Sequence, residues 1–321
     1  MNASVSKISC RDIFSNTLED MAKKDSHILV ITSDAMGSCS LTGFAAALPK
    51  QFVDVGIAEQ NEIGVAAGLA AMGKKPFVCA PACFISARSF EQIKVDVAYS
   101  GQNVKILGVS GGVSYGPLGA THHSLHDIAA LRTIPNISII LPCDGHQTKD
   151  LLTKLVKTET PAYIRLGRNP VPIVYESNTP FTIGKGHLLK PGNDLTIIAT
   201  GETVWHSLKA AEILATEGVS ARVIDMHTLK PFDEEIVVKA AKETSLIITV
   251  EEHSIHGGLG GAVSQCVAGS YPCKVKSIAI PDEFAVPGNT DDLFEHYGLN
   301  YHGIIKTAKR EVTLSGLHTF D

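Results

Sequence analysis

Residues 54–73 read DVGIAEQNEIGVAAGLAAMG, and the rest of the chain is organised around this stretch. It opens as an apolar strand, turns through Gly56 and sets one acid, Glu59, at the mouth of a helix of small residues. From Ile63 to Lys74 nearly every side chain is Gly, Ala, Val or Leu. So few polar groups predict a helix buried against its own sheet and against another subunit. A carboxylate at its entrance would sit in low dielectric, where burial disfavours the charged form. Glu59 is then expected to keep its proton near neutral pH and donate a hydrogen bond. The plainer alternative is that Glu59 caps the helix, accepting backbone N–H groups.

Working outward, short apolar strands alternate with helical segments on both sides. A helix over residues 9–23 precedes strand His27–Ser33, which ends at Asp34. After residue 73 come strand Pro76–Cys79, one amphipathic helix over Ser86–Tyr99, strand Val104–Val109 and a long Gly-rich loop, SGGVSYGPLGATHHS. Helices over 125–133 and 145–157 and strands Ile137–Leu141 and Ala162–Leu166 complete the first half. The stretch from Gly167 to Phe181, GRNPVPIVYESNTPF, has no periodicity and reads as a linker. Strands 195–200, 221–224, 246–251 and 275–278 then alternate with helices over 203–216, 233–243, 257–268 and 300–314. The expected fold is α/β in two domains, residues 1–172 and 191–321 joined by a linker over 173–190. Each is a mainly parallel sheet flanked by helices.

Composition narrows the function. A net charge of −5 leaves no basic surface for nucleic acid or anionic lipid. No apolar run reaches membrane-spanning length, and the N-terminal residues lack a signal-peptide core. Seven scattered cysteines without a C-x-x-C pair read as buried thiols in a reducing compartment, so a cytoplasmic location is expected. In parallel sheets ligands gather at the carboxyl ends of strands. Asp34, Ser38, Glu59, Phe84, Arg88, His122, His123 and Arg168 all follow strands there, a set suited to an anionic, heteroaromatic ligand.

Four segments carry a resemblance: GIAEQNEIGVAAGLAAMGKKPFV, FISARSFEQIKVDVA, GATHHSLHDIAALRTIPN and AYIRLGR, in this order and spacing. Together they resemble the pyrimidine-binding domain of transketolase-like enzymes that depend on thiamine diphosphate. The segments TLKPFDEE and VEEHSIHGGLGGAV are similar to the C-terminal domain of that family. The Gly-Asp-Gly motif with which the family holds the diphosphate and Mg²⁺ is missing; CDGHQ at 143–147 belongs to a strand-to-helix turn. The resemblance therefore implies the C-terminal subunit of a split transketolase, completed by a separate N-terminal subunit that holds most of the cofactor and its metal. A heterotetramer with two sites is expected from the prevalence of closed two-fold assemblies.

The resemblance implies roles. Glu59 would hydrogen-bond the aminopyrimidine nitrogen and Phe84 would stack on the ring, with Asp34 and Arg88 beside the cofactor. Arg11, Ser38, His122, His123 and Arg168 would meet the substrate, the arginines at its phosphate and His122 at its hydroxyls. Each has an ordinary structural alternative: a helix cap, a core phenylalanine, a turn aspartate, a surface ion pair. No metal ligand is assigned, and the roles of His123, His126, His253 and His256 stay open. Two positions depart from the family pattern. Leu118 stands where an Asp reads donor hydroxyls, and Ser110 where a second histidine lies near the donor. The donor is therefore expected to differ from xylulose 5-phosphate in its usual pose. A branched, deoxy or otherwise modified ketose phosphate or sulfonate fits better. Competing readings are a 1-deoxyxylulose-5-phosphate synthase type, a 2-oxo acid dehydrogenase β subunit and a non-catalytic scaffold subunit. Residues 131–136 (LRTIPN) and Arg168 suit the sugar-phosphate branches, and a start at Met1 weighs against the long synthase chain.

Overall fold

Runs such as Ile28–Thr32 (ILVIT) and Lys105–Val109 (KILGV) are buried along nearly their whole length. That is the pattern of parallel strands covered by helices on both faces. The structure, a computed structural model, describes residues 6–244 and 246–316. The outer ends of the two expected domains, residues 1–5 and 317–321, lie outside the described residues.

The first half runs β1 (Lys7–Ile8), α1 (Cys10–Ala22), β2 (Ile28–Thr32), α2 (Thr42–Ala47), β3 (Phe52–Asp54), α3 (Glu59–Ala71) and β4 (Lys75–Pro81). It continues with α4 (Ala82–Arg88), α5 (Phe90–Gln92), β5 (Lys105–Val109), α6 (Asp127–Arg132), β6 (Ser138–Ile140), α7 (Gly145–Leu155), β7 (Ala162–Leu166) and β8 (Val171–Pro172). The second half holds β9 (His187–Lys190), β10 (Leu195–Ala199), α8 (Thr203–Thr216), β11 (Ala221–Asp225), β12 (Thr228–Lys230) and α9 (Glu234–Thr244). Then follow β13 (Leu246–Ser254), α10 (Leu259–Ser270), β14 (Lys274–Ile280), α11 (Thr290–His296) and α12 (Tyr301–Leu314).

The larger sheet has the order β12-β6-β7-β5-β4-β2-β3, and all its pairs are parallel except β12 with β6. The connection after β2 leads to β3 on one side, whereas the one after β4 leads to β5 on the other. Their carboxyl ends therefore diverge and leave a crevice. The smaller sheet, β14-β13-β10-β11-β9, is parallel apart from β9. One apolar core, built on Phe14, Leu18 and Phe77, continues through Val204 and Leu214, so it spans both halves.

Three features depart from the sequence expectation. The helix expected over Ser86–Tyr99 is divided: α4 starts directly off β4, breaks at the buried Ser89, and gives way to α5 and a π-helical turn over Ile93–Tyr99. The Gly-rich loop contains a 3₁₀ turn over Gly116–Thr121. The second half also lends an edge strand to the first: Thr228 pairs with Ile140, and Leu141 N–H donates to the His227 carbonyl at 2.8 Å. This pairing exists only in the tertiary fold.

Charged side chains are buried where the halves meet. Arg165 donates to the Glu252 carbonyl at 2.6 Å, and its Nε lies 3.6 Å from Asp127. Tyr163 donates to the same Asp127 carboxylate at 2.7 Å. Glu252 Oε1 accepts the Val113 amide at 2.7 Å. Burial pushes the Glu252 carboxyl up, and the nearby Glu202 charge adds to it. His253 is fully buried; Nδ1 donates to the Ser254 carbonyl at 2.8 Å and Nε2 accepts the Ala129 amide at 3.3 Å. It therefore ties the second half to α6. His256 is exposed, 3.8 Å from Asp282.

Candidate active site

The crevice at the strand ends is set up by backbone contacts. Asp54, closing β3, uses Oδ1 to accept the amides of Asp34 at 3.0 Å and Gly56 at 2.9 Å. Asp34 has φ +56 and Gly56 φ +73, so these two turns are held in left-handed geometry by one carboxylate. The Asp34 side chain is left exposed at the rim.

Glu59 follows at the first turn of α3. Ala58 occupies the cap position and makes no side-chain cap bond. The Glu59 carboxylate faces Arg88, which donates to it at 2.5 Å from the end of α4. The Arg88 guanidinium also lies over the Phe84 ring, 4.1 Å from its centroid. One planar cation thus stacks on Phe84 and donates to Glu59. The fully desolvated acid of this helix is Glu62, one turn on. It is wholly buried, accepts the Cys79 amide at 3.2 Å and has no partner for Oε2 among the described residues. Desolvation pushes its carboxyl up to about 8, and the Glu59 charge adds to the rise. Sequence reasoning missed it, although Glu62, Ile63, Ala66 and Ala67 form one buried face at helical spacing.

The contacts continue along the rim. Phe84 meets the His122 ring edge-to-face at 5.3 Å, and His122 meets Tyr115 at the same separation. His122 Nδ1 lies 3.0 Å from Thr121 Oγ1. The Arg168 guanidinium lies 5.1 Å from the Tyr115 centroid. Arg11, from α1, donates to the Arg168 carbonyl from Nε at 3.1 Å and Nη2 at 2.7 Å, and its Nη1 donates to the Ser38 carbonyl. Burial and the Arg168 charge lower the Arg11 pKa. In this geometry Arg11 braces the backbone beneath Arg168. Arg168 Nη1, by contrast, is enclosed without a hydrogen-bond partner among the described residues.

Glu59, Arg88, Phe84, His122, Arg168, Arg11 and Ser38 thus form one contact series, closed by Tyr115, which sequence reasoning did not single out. His123 is turned away from the rim. Its Nε2–H donates to the Gly116 carbonyl at 3.1 Å, and burial lowers its pKa, keeping the ring neutral. His126 is exposed and makes no side-chain cap bond at the start of α6. Of the two departing positions, Leu118 is 54% exposed at the rim and Ser110 is buried with φ +57.

Comparison with known proteins places this geometry. The transketolase pyrimidine-binding domain matches residues 6–173, and the transketolase C-terminal domain matches residues 184–304. The chain is 56% identical over 302 residues to one subunit of an apulose-4-phosphate transketolase from Phocaeicola vulgatus, covering 94% of this chain and 96% of that one. It is 40% identical over 303 residues to a 6-deoxy-6-sulfo-D-fructose transketolase subunit from Clostridium sp., covering 94% of each. A solved structure described as a split gene transketolase, inactive beta4 tetramer, superposes with a TM-score of 0.87 at 38% identity, covering 96% of this chain and 99% of that one. The rim therefore lies in a pyrimidine-binding domain, and the chain belongs to the transketolase family, carrying its pyrimidine-binding and C-terminal domains.

Proposed function

We propose that this chain is the C-terminal subunit of a heteromeric, cytoplasmic transketolase that moves a two-carbon ketol unit from an anionic ketose to an aldose. The observation that carries the reading is Arg88 on Glu59 and Phe84. A planar, hydrogen-bond-donating cation already occupies the place where an aminopyrimidine would stack on Phe84 and donate to Glu59. The residues fit that end of thiamine diphosphate. Among the described residues no three His, Cys, Asp or Glu side chains converge as metal ligands. With no Gly-Asp-Gly motif in the sequence, the diphosphate and Mg²⁺ are assigned to an N-terminal partner subunit, in a heterotetramer. Bound thiamine diphosphate supplies the nucleophilic carbon and the electron sink for breaking and making the bond beside a ketose carbonyl.

The residues of this chain bind and orient. Glu59 holds a hydrogen bond at the pyrimidine nitrogen, Phe84 supplies the stacking face, and Asp34 lies beside the cofactor. Arg88 cedes Phe84 as the pyrimidine arrives. His122 hydrogen-bonds the sugar hydroxyls with Ser38 nearby, and Arg168, braced by Arg11, takes the terminal anion. His123 holds the substrate loop from behind. The partner covers the open face of α3, where Gly64 and Gly68 have no neighbour within reach of an added Cβ and Ile57 and Met72 are exposed. In the proposed division into residues 1–172 and 191–321, the first domain carries these tasks and the second braces its substrate loop through Glu252.

Leu118 cannot accept a hydroxyl hydrogen bond, which favours a modified donor over xylulose 5-phosphate in its ordinary pose. The relatives named for apulose 4-phosphate and a sulfofructose support that choice. The test is a calorimetric titration with thiamine diphosphate and Mg²⁺, with and without the N-terminal subunit. Tight binding only with the subunit is expected. Equally tight binding by this chain alone would sink the division of the site. Ordinary transketolase rates with xylulose 5-phosphate would sink the donor assignment.

A further inference from the structure

We infer that Tyr115 is the specificity-determining platform of the donor site, its ring fixing the spacing between the anion-binding Arg168 and the hydroxyl-binding His122. This deepens the transketolase reading and rests on it for the identity of the donor. Tyr115 is 8% exposed, and its ring touches both groups, with the Arg168 cation 5.1 Å from the centroid and the His122 ring at 5.3 Å. Among the described residues the Arg168 Nη1 has no hydrogen-bond partner. Its guanidinium is oriented by the tyrosine face and by the Arg11 brace beneath its own backbone.

The platform is itself fixed from both sides. Two residues before it, the Val113 amide donates to Glu252 of the second half at 2.7 Å. Ser114 Oγ donates to the Gly111 carbonyl at 2.6 Å. Just after it, the Gly116 carbonyl accepts His123 Nε2 at 3.1 Å and the Gly288 amide at 3.5 Å. Gly116 has φ +53, and a Cβ there would lie 2.7 Å from the Gly288 oxygen, so the turn admits only glycine without rearrangement. A ring clamped in this way cannot follow a longer or shorter ligand. The distance from the anion to the recognised hydroxyls is therefore set before the substrate arrives, which is the condition for discrimination by chain length. The shared ligand chemistry is a ketose ending in a compact oxyanion, phosphate or sulfonate. The enclosed Nη1 of Arg168 is the donor that such an oxyanion would satisfy.

The experiment compares wild type, Tyr115→Phe, Tyr115→Leu and Tyr115→Met, each folded chain reconstituted with its N-terminal subunit. Thermal stabilisation by inorganic phosphate and by methanesulfonate is read alongside ketol transfer from five- and six-carbon ketose phosphates. Tyr115→Phe keeps the ring and is expected to match wild type. The two aliphatic variants are expected to lose the anion-dependent stabilisation, raise KM for the preferred donor about tenfold and lose most of the preference between chain lengths. The ratio of phosphate to methanesulfonate effects identifies which oxyanion the site favours. Aliphatic variants with unchanged KM and preference would overturn the inference. So would Tyr115→Phe failing as badly as Tyr115→Leu, since the hydroxyl and not the ring face would then be at work. Loss of the phosphate effect as expected, in a pair that transfers no ketol unit from any ketose phosphate, would instead overturn the transketolase reading and leave the anion platform standing.

Discussion

Two regions of this chain are built from the same side chains and do opposite things with them. At the seam between the halves, Arg165, Asp127, Glu252, Tyr163 and His253 are buried and bonded to one another or to backbone. At the rim, Glu59, Arg88, His122 and Arg168 are joined to one another by rings and a single part-exposed ion pair, and Arg168 keeps an unused donor. Charge bonded in low dielectric between the halves holds them together, even with Asp127 Oδ1 unpartnered among the described residues; charge left incompletely satisfied beside solvent is available to a ligand. The difference lies in what surrounds each group, and substitution separates the two cases.

The largest effect is expected at the seam. Arg165→Met leaves Asp127 and Glu252 buried without their cation. Breaking one side of such a buried pair typically costs about 3–5 kcal/mol. Urea denaturation of the variant should show a loss of that order. A loss under about 1 kcal/mol would mean that the seam carboxyls simply take up protons and that the contrast with the rim is weaker than the geometry implies.

At the rim the large effect moves from stability to turnover. Glu59→Ala removes the acid assigned to the pyrimidine nitrogen, and general acid–base groups contribute about 10²–10⁴-fold in rate. Ketol transfer by the reconstituted pair should fall by that factor, while the urea midpoint of the variant stays close to wild type. Unchanged turnover would favour a scaffold subunit.

Glu62 sits between the two regions, a seam-like acid one turn behind a rim acid. In the folded chain its carboxyl keeps a proton up to about pH 8, against an ordinary value of 4.5. Between those limits the unfolded chain has released a proton that the folded chain retains. Stability is therefore fullest below pH 4.5 and declines as pH rises toward 8, by at most about 1.4 kcal/mol per unit for this group. Glu62→Gln removes that proton and should flatten the decline, measured as urea stability at pH 5.5 and 7.5. Equal slopes in both proteins would show that Glu62 reaches solvent or a partner that keeps it ionised.

Much of this layout was legible beforehand, for identifiable reasons. Strands such as Ile28–Thr32 and Ala162–Leu166 announced themselves because burial on both faces demands unbroken apolar runs. Glu59, Phe84, His122 and Arg168 were placed by motif, and the structure joins them through contacts. Tyr115 was not visible, since an aromatic residue in a Gly-rich loop has no period to betray which way it faces. β12 was hidden because its pairing with β6 joins the two halves and exists only in the tertiary fold. Glu62 was passed over. Glu59 and Glu62 are three residues apart on one helix and both are buried, and only the phase of the helix against β4 brings Glu62 to the Cys79 amide.

Arg88 gives the smallest and sharpest test of the comparison. Its side chain is 48% exposed, and an ion pair so open to solvent contributes about 0–1 kcal/mol. Arg88→Met should therefore leave the urea midpoint of the isolated chain nearly unchanged, unlike Arg165→Met. Its consequence lies in binding. The guanidinium covers a Phe84 face and engages Glu59, so on the proposed reading a pyrimidine binds by displacing it. Removing it lowers that cost by the strength of a half-exposed cation–π contact and ion pair. Thiamine affinity of the isolated chain, measured by calorimetry, should then rise several-fold. An affinity that falls instead would show that Arg88 is a ligand of the cofactor and that the rim is already arranged as it is in the loaded enzyme.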